Sequence, residues 1–156
     1  MKIEVNQNKS FEEVVKELQD LQETKDYKND LVRKTLGEKP NLRKIFSVVI
    51  IQNPARFNEI QEKIFLGRMT IYSHLYKLIE LGVIKQISIM SLWNRSDLNE
   101  EEAKILNKFK EWTKNMTDRQ LHYFAAKTNY FCLSEFGKDL NIINWTLRLS
   151  KNEKND

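Results

Sequence analysis

Arg68, Thr70, Tyr72, Ser73, Tyr76 and Lys77 fall within one short stretch and supply hydroxyls, aromatic rings and positive charge, with Glu80 the single acid among them. Side chains of these types hydrogen-bond base edges, contact thymine methyls and neutralise phosphates. Their spacing puts them together. Ile71, Leu75, Leu78 and Ile79 recur at i, i+4, i+7 and i+8, the apolar stripe of an amphipathic helix whose opposite face carries the polar set. Gly82 stands where a helix ending in a left-handed turn wants glycine, and Val83-Ile84 then begins a β-branched run. One half of this helix is made to bury, and the other half suits the DNA major groove. For Tyr72 and Tyr76 the plainer alternative is a half-buried helix residue.

A chain of 156 residues, 40% hydrophobic and 31% charged, can bury one sizeable core. No apolar run approaches a membrane span, and the N-terminus lacks a signal-peptide apolar region, so a cytoplasmic protein is expected. One cysteine excludes a disulfide framework, and two histidines make a zinc site and any other cofactor unexpected. The net charge of +4 resides in residues 41–86, where Arg43, Lys44, Arg56, Lys63, Arg68, Lys77 and Lys85 face only Glu59, Glu62 and Glu80. Elsewhere the charges balance. Such a footprint favours a polyanion, although charge alone is equally a solvated face.

The positioning elements follow from periodicity. Ser10-Phe11-Glu12-Glu13 is a capping box opening a helix through Leu36, with a falter near Lys25–Tyr27. Asn41 is expected to cap a second helix, apolar around much of its circumference, that stops at Asn53-Pro54. Phe57-Asn58 with Gln61 reads as the start of a third helix, from Glu59 to about Phe65, and Leu66-Gly67 as the turn before the fourth. Ile84–Met90 alternates as a strand, and Asn129–Ser134 supplies a second one. Between them, residues 91–128 read as a helical hairpin with Trp93, Phe109, Trp112 and Phe124. Phe136, Leu140, Ile143 and Leu147 mark a terminal helix, followed by a solvated tail from Lys151, and residues 1–9 an arm.

Four segments in this order carry a family likeness: Arg56–Ile60, Met69–Leu75, Leu78–Ile84 and Tyr130–Leu140, the last with a strand leading into Leu-Ser-x-x-Gly. The chain resembles the winged helix-turn-helix DNA-binding family, among them the MarR-like and PadR-like transcription regulators. With the resemblance, the expected fold is mostly α with a minor β component: a two-stranded winged-helix domain over 41–140, into whose wing this chain inserts helices at about 91–128, flanked by an arm and helix at 1–40 and a helix end and tail at 141–156. The resemblance implies duplex DNA as partner, with Arg68, Thr70, Tyr72, Ser73, Tyr76 and Lys77 outward on the reading helix; Met69 beside them and the basic residues Arg56, Arg43 and Lys85 of the domain are expected as further contacts. It also implies a homodimer through the terminal helices. The chain departs from the family at the wing, whose tip is replaced by a near-neutral hairpin; Arg95 and Lys127, near the strand ends, are the substitutes.

Competing readings are a winged helix that docks proteins through the aromatic insertion, and a plasmid or viral replication or partition protein. His74 and His122 read as structural, Cys132 as a small hydrophobe rather than a redox sensor, and Phe109 with Trp112 as core rather than an effector pocket. Glu100–Glu102 suits a helix start. No phosphate loop, metal motif or nucleophile elbow appears, so an enzyme is not expected.

Overall fold

Ser10 caps the first helix through its hydroxyl, which accepts from Glu13 N at 3.2 Å. From there α1 (Phe11–Glu38) runs unbroken for 28 residues. The interruption expected near Lys25–Tyr27 does not occur. Gln22 Nε2 donates to Asp26 Oδ1 at 3.0 Å, the kind of i, i+4 link that carries a helix across a polar stretch. This computed structural model describes residues 10–154, so the expected arm at 1–9 lies outside the described residues. The chain divides into two units, the first ending at Glu38 and the second beginning at Lys39.

The second unit is built on α2 (Pro40–Gln52). Lys39, not Asn41, is its N-cap, because Pro40 takes the first helical position, where its fixed φ fits and its missing N–H costs nothing. Leu42, Ile45, Phe46 and Val49 are buried, and so are Arg43 and Ser47 on the other side. Around it pack α3 (Phe57–Lys63), α4 (Arg68–Glu80) and α8 (Leu140–Lys154). α3 starts two residues before its expected start, with Arg56 at the cap position donating its backbone N–H to Glu59 Oε1 at 3.1 Å. Gln61 takes no part in a capping box there.

The sheet has three antiparallel strands rather than two: β1 (Ala55–Arg56), β2 (Ile84–Ser88) and β3 (Asn129–Leu133), in the order β1-β3-β2. Phe131 lies between Ala55 and Gln86 in register. Asn53 Oδ1 accepts from Leu133 N at 3.0 Å just beyond the β1 pairing. Alternation along β3 divides its side chains between two faces. Tyr130 and Cys132 join a cluster with Ile89, Leu92, Ile105, Leu106, Phe109 and Ala125. Phe131 and Leu133 therefore point to the opposite face, toward α2.

That cluster is the core of the inserted segment, made by α5 (Ile89–Leu92), α6 (Glu100–Trp112) and α7 (Asp118–Lys127). The strand expected to reach Met90 ends at Ser88, whose hydroxyl accepts from Ser91 N at 3.2 Å and caps α5. Asn99 and Thr117 cap α6 and α7 through reciprocal side-chain bonds, both as their sequences require. His122, expected in packing, is exposed.

α4 ends as its glycine demands. Gly82 has φ 82°, its N–H bonds Ile79 O at 2.9 Å, and Val83 N bonds Leu78 O at 3.2 Å, the paired bonds of a Schellman turn. After β3, Ser134 Oγ bonds Gly82 O and also accepts from Gly137 N at 2.9 Å. A Cβ on Gly137 would lie 1.8 Å from Val83 O, so only glycine fits. Phe136–Lys138 is a 3-10 turn rather than the start of the terminal helix, and Leu140, expected to be buried, is exposed. α8 buries Ile142 and Thr146 instead, joins α2 through a 2.7 Å Ser47–Ser150 hydroxyl bond, and continues to Lys154 through the expected tail. Among the described residues no helix is long and apolar enough to cross a membrane.

Candidate nucleic-acid interface

α4 is held by burial of Ile71, Leu75 and Leu78 against α2. At 3.6 residues per turn, the side opposite those three carries Met69, Ser73, Tyr76 and Glu80 in one ridge. The ridge is uncovered: Met69 is 85% and Tyr76 56% exposed, and Thr70, Ser73 and Glu80 are exposed as well. Arg68 and Tyr72 flank it on one side, His74 and Lys77 on the other. Gly67, at the N-cap, has no side chain to cap the first-turn N–H groups, which stay open at the positive end of the helix.

A groove of about 270 Å³ lies on the Arg68 side. Its walls come from β1, α3, α4, α6, α7 and β3. Phe57 and Tyr72 stack with ring centroids 4.2 Å apart and planes 11° apart, so Tyr72 is half-buried rather than free in solvent. Arg68 lies 4.8 Å from the Phe57 centroid and 5.5 Å from that of Tyr72. Arg56 sits 4.2 Å over Trp112, and Lys127 sits 4.3 Å over Tyr123. Asn58 and Asn129 complete the polar lining, and no carboxylate among the described residues lines the groove.

On the other side of the ridge, Lys39, Leu42, Ser73, His74, Tyr76, Lys77 and Glu80 surround a depression of about 340 Å³. Lys77 meets Glu80 at 3.7 Å on the surface, an ion pair of little strength in water. Burial, and then the Lys39 charge, lower the His74 pKa, so the imidazole stays neutral near pH 7.

Eight of the eleven residues proposed from sequence thus gather on or beside α4: Arg56, Arg68, Met69, Thr70, Tyr72, Ser73, Tyr76 and Lys77. Three do not. Arg43 is 4% exposed and lies inside the second unit, where burial lowers its pKa, so it offers no surface contact. Lys85 is held at 3.1 Å by Glu101 of α6, which also takes Lys138 at 3.6 Å. Arg95 is bound by Asp97 at 3.0 Å and Glu102 at 3.2 Å, and the Asp97 hydrogen bond raises its pKa first. Both are engaged by carboxylates of the second unit. Phe57 and Asn58 of α3, Tyr123 of α7 and Asn129 of β3 escaped notice as site residues because they come from three elements that only the fold brings together.

The other chemical candidates resolve into structure. Burial, and then Glu101, push the Cys132 thiol up to about 12, which leaves no thiolate to react at neutral pH. Trp93, Phe109, Trp112 and Phe124 meet edge to face in sequence, with centroids 6.1, 5.8 and 5.5 Å apart. They pack in and against the insertion's own core, and Trp112 and Phe124 also line the groove beside α4. Comparison with known protein families, curated proteins and solved structures finds no match to this chain.

Proposed function

We propose that the chain is a winged helix-turn-helix protein that binds double-stranded DNA, with α4 lying in the major groove. The observation that carries this reading is the uncovered ridge of α4, which has a cationic depression on each side. A helix in the major groove has one sugar-phosphate backbone to its left and one to its right. Met69, Thr70, Ser73 and Tyr76 then meet base edges and thymine methyls, while Arg68 and Lys77 meet phosphates. The open N–H groups at the start of α4 add a further anion contact.

A dimeric transcription regulator is the form of this function we favour. α1 leaves Phe11 and Leu18 exposed on one face and Tyr27 and Leu31 on the opposite one, and either pair is apolar surface for a two-fold contact with a second copy. Half-sites would then lie about one helical turn apart.

Selection of bound duplexes from a random pool, followed by dimethyl sulfate footprinting, tests the assignment. Protection of guanine N7 within the selected site supports a helix in the major groove. Failure to enrich any duplex at low salt, or protection confined to the minor groove, overturns it.

A further inference from the structure

The groove beside α4 has one wall supplied by the inserted hairpin, and the chemistry of that wall is distinctive. Lys127 ends α7 and is exposed; its Nζ donates to Tyr123 Oη at 3.0 Å while lying 4.3 Å from that ring's centroid. Across the groove stand Arg56 on Trp112 and Arg68 on Phe57 and Tyr72. All three cations are held in place by aromatic faces. A ring fixes a cation without cancelling its charge, whereas a carboxylate fixes it and cancels it. Among the described residues only Arg56 of the three has a carboxylate near, Glu59 at 3.8 Å, and Glu59 is shared with Lys108 at 3.3 Å. An ammonium carries three donors, so Lys127 keeps two after bonding Tyr123. The hairpin's other candidate, Arg95, is the opposite case, bound to two acids.

We infer that this groove seats a phosphodiester of the duplex backbone that runs alongside α4, with Lys127 of the insertion as its outer clamp. The inference rests on the DNA-binding reading above and adds a contact that α4 cannot make. The inserted hairpin thereby holds the duplex from α7, at the C-terminal end of that helix, and not from a strand tip. Asn58 and Asn129 offer neutral donors to the same phosphate or its sugar. The occupant is an anion because every charged group lining the groove is a cation, and it is a chain rather than a free ion because the groove opens beside the α4 ridge.

Salt dependence reads this contact directly. Binding of a fluorescent mixed-sequence duplex is titrated across salt concentrations for the full chain, Lys127→Gln, Tyr123→Phe and Arg95→Gln. Lys127→Gln is expected to lower the slope of log affinity against log salt by about 0.9 and to weaken binding roughly tenfold at 0.1 M, equally on all sequences. Tyr123→Phe, which keeps the ring and removes the Lys127 hydrogen bond, should weaken binding by a smaller factor. Arg95→Gln should leave the slope unchanged. All three positions are exposed, and thermal melting checks that each variant folds. A Lys127→Gln slope equal to wild type overturns the clamp while leaving the α4 reading intact. If wild type fails to bind any duplex, both fall. Saturable binding of inorganic phosphate that Lys127→Gln abolishes, with duplex slope unchanged, assigns the groove to a free anion and also overturns the proposal.

Discussion

The ring of Phe57 on α3 lies parallel to that of Tyr72 on α4, with 4.2 Å between centroids, and the Arg68 guanidinium covers the Phe57 face at 4.8 Å. This stack fixes α4 to α3 on the side away from the α2 core. It also presents a guanidinium at the base of the ridge with no carboxylate among the described residues to hold it. Packing and charge display are thus one device.

Variants at the two rings separate packing from binding. Phe57→Ala deletes a buried aromatic and should cost about 3–5 kcal/mol in urea denaturation. Tyr72→Phe keeps the stack, so its stability should stay within about 0.5 kcal/mol of wild type. Any loss of duplex affinity in Tyr72→Phe then reports the hydroxyl alone.

The ridge should be silent in folding and active in binding. Met69→Ala, Ser73→Ala and Tyr76→Ala lie on exposed positions and should shift stability by less than about 0.5 kcal/mol. Competition between the selected duplex and an unrelated one should show a reduced specificity ratio for each variant. Retention of the full ratio in all three would exclude the ridge from base reading.

Gly137 should tolerate no side chain. Its missing Cβ would stand 1.8 Å from the carbonyl oxygen of Val83, backbone that cannot rotate away. Gly137→Ala is expected to lose about 3 kcal/mol by chemical denaturation, whereas Gly82→Ala, strained only by φ 82°, should lose about 1–2.

Cys132 gives a pH signature of opposite sign to the usual carboxylate. Its folded thiol, raised to about 12, holds a proton that the unfolded thiol releases near its ordinary value of 9.0. Between those values the native state binds more protons than the unfolded state, so stability falls as pH rises, by about 1.4 kcal/mol per unit for this group. Cys132→Ala should show a shallower decline in denaturation midpoint above pH 9.0 than wild type. An identical decline would mean that the thiol ionises as easily in the fold as in the unfolded chain.

Much of this arrangement was legible from residue order. The Ile71, Leu75 and Leu78 spacing with Gly82 defined α4 and its end, because burial and the left-handed turn are local requirements. β1 was not legible: two residues after a proline are too few to alternate. α8 was misread in phase because its buried positions include Thr146, a polar residue that satisfies its hydroxyl on Ile142 O at 2.8 Å. Ser47 does the same with Arg43 O at 2.9 Å, which hid the second buried side of α2 and made Arg43 look like surface. Whether a cation is available depends on neighbours from other elements. Lys85 and Glu101 are 16 residues apart, and nothing local announces their pairing.

The most direct measurement of the central claim is the affinity of Arg68→Ala/Lys77→Ala for the selected duplex at 0.1 M salt, with melting temperature recorded in parallel. Loss of two phosphate contacts should weaken binding by one to two orders of magnitude, roughly tenfold for each, at an unchanged melting temperature. Wild-type affinity in that double variant would contradict the assignment of α4 to the DNA groove.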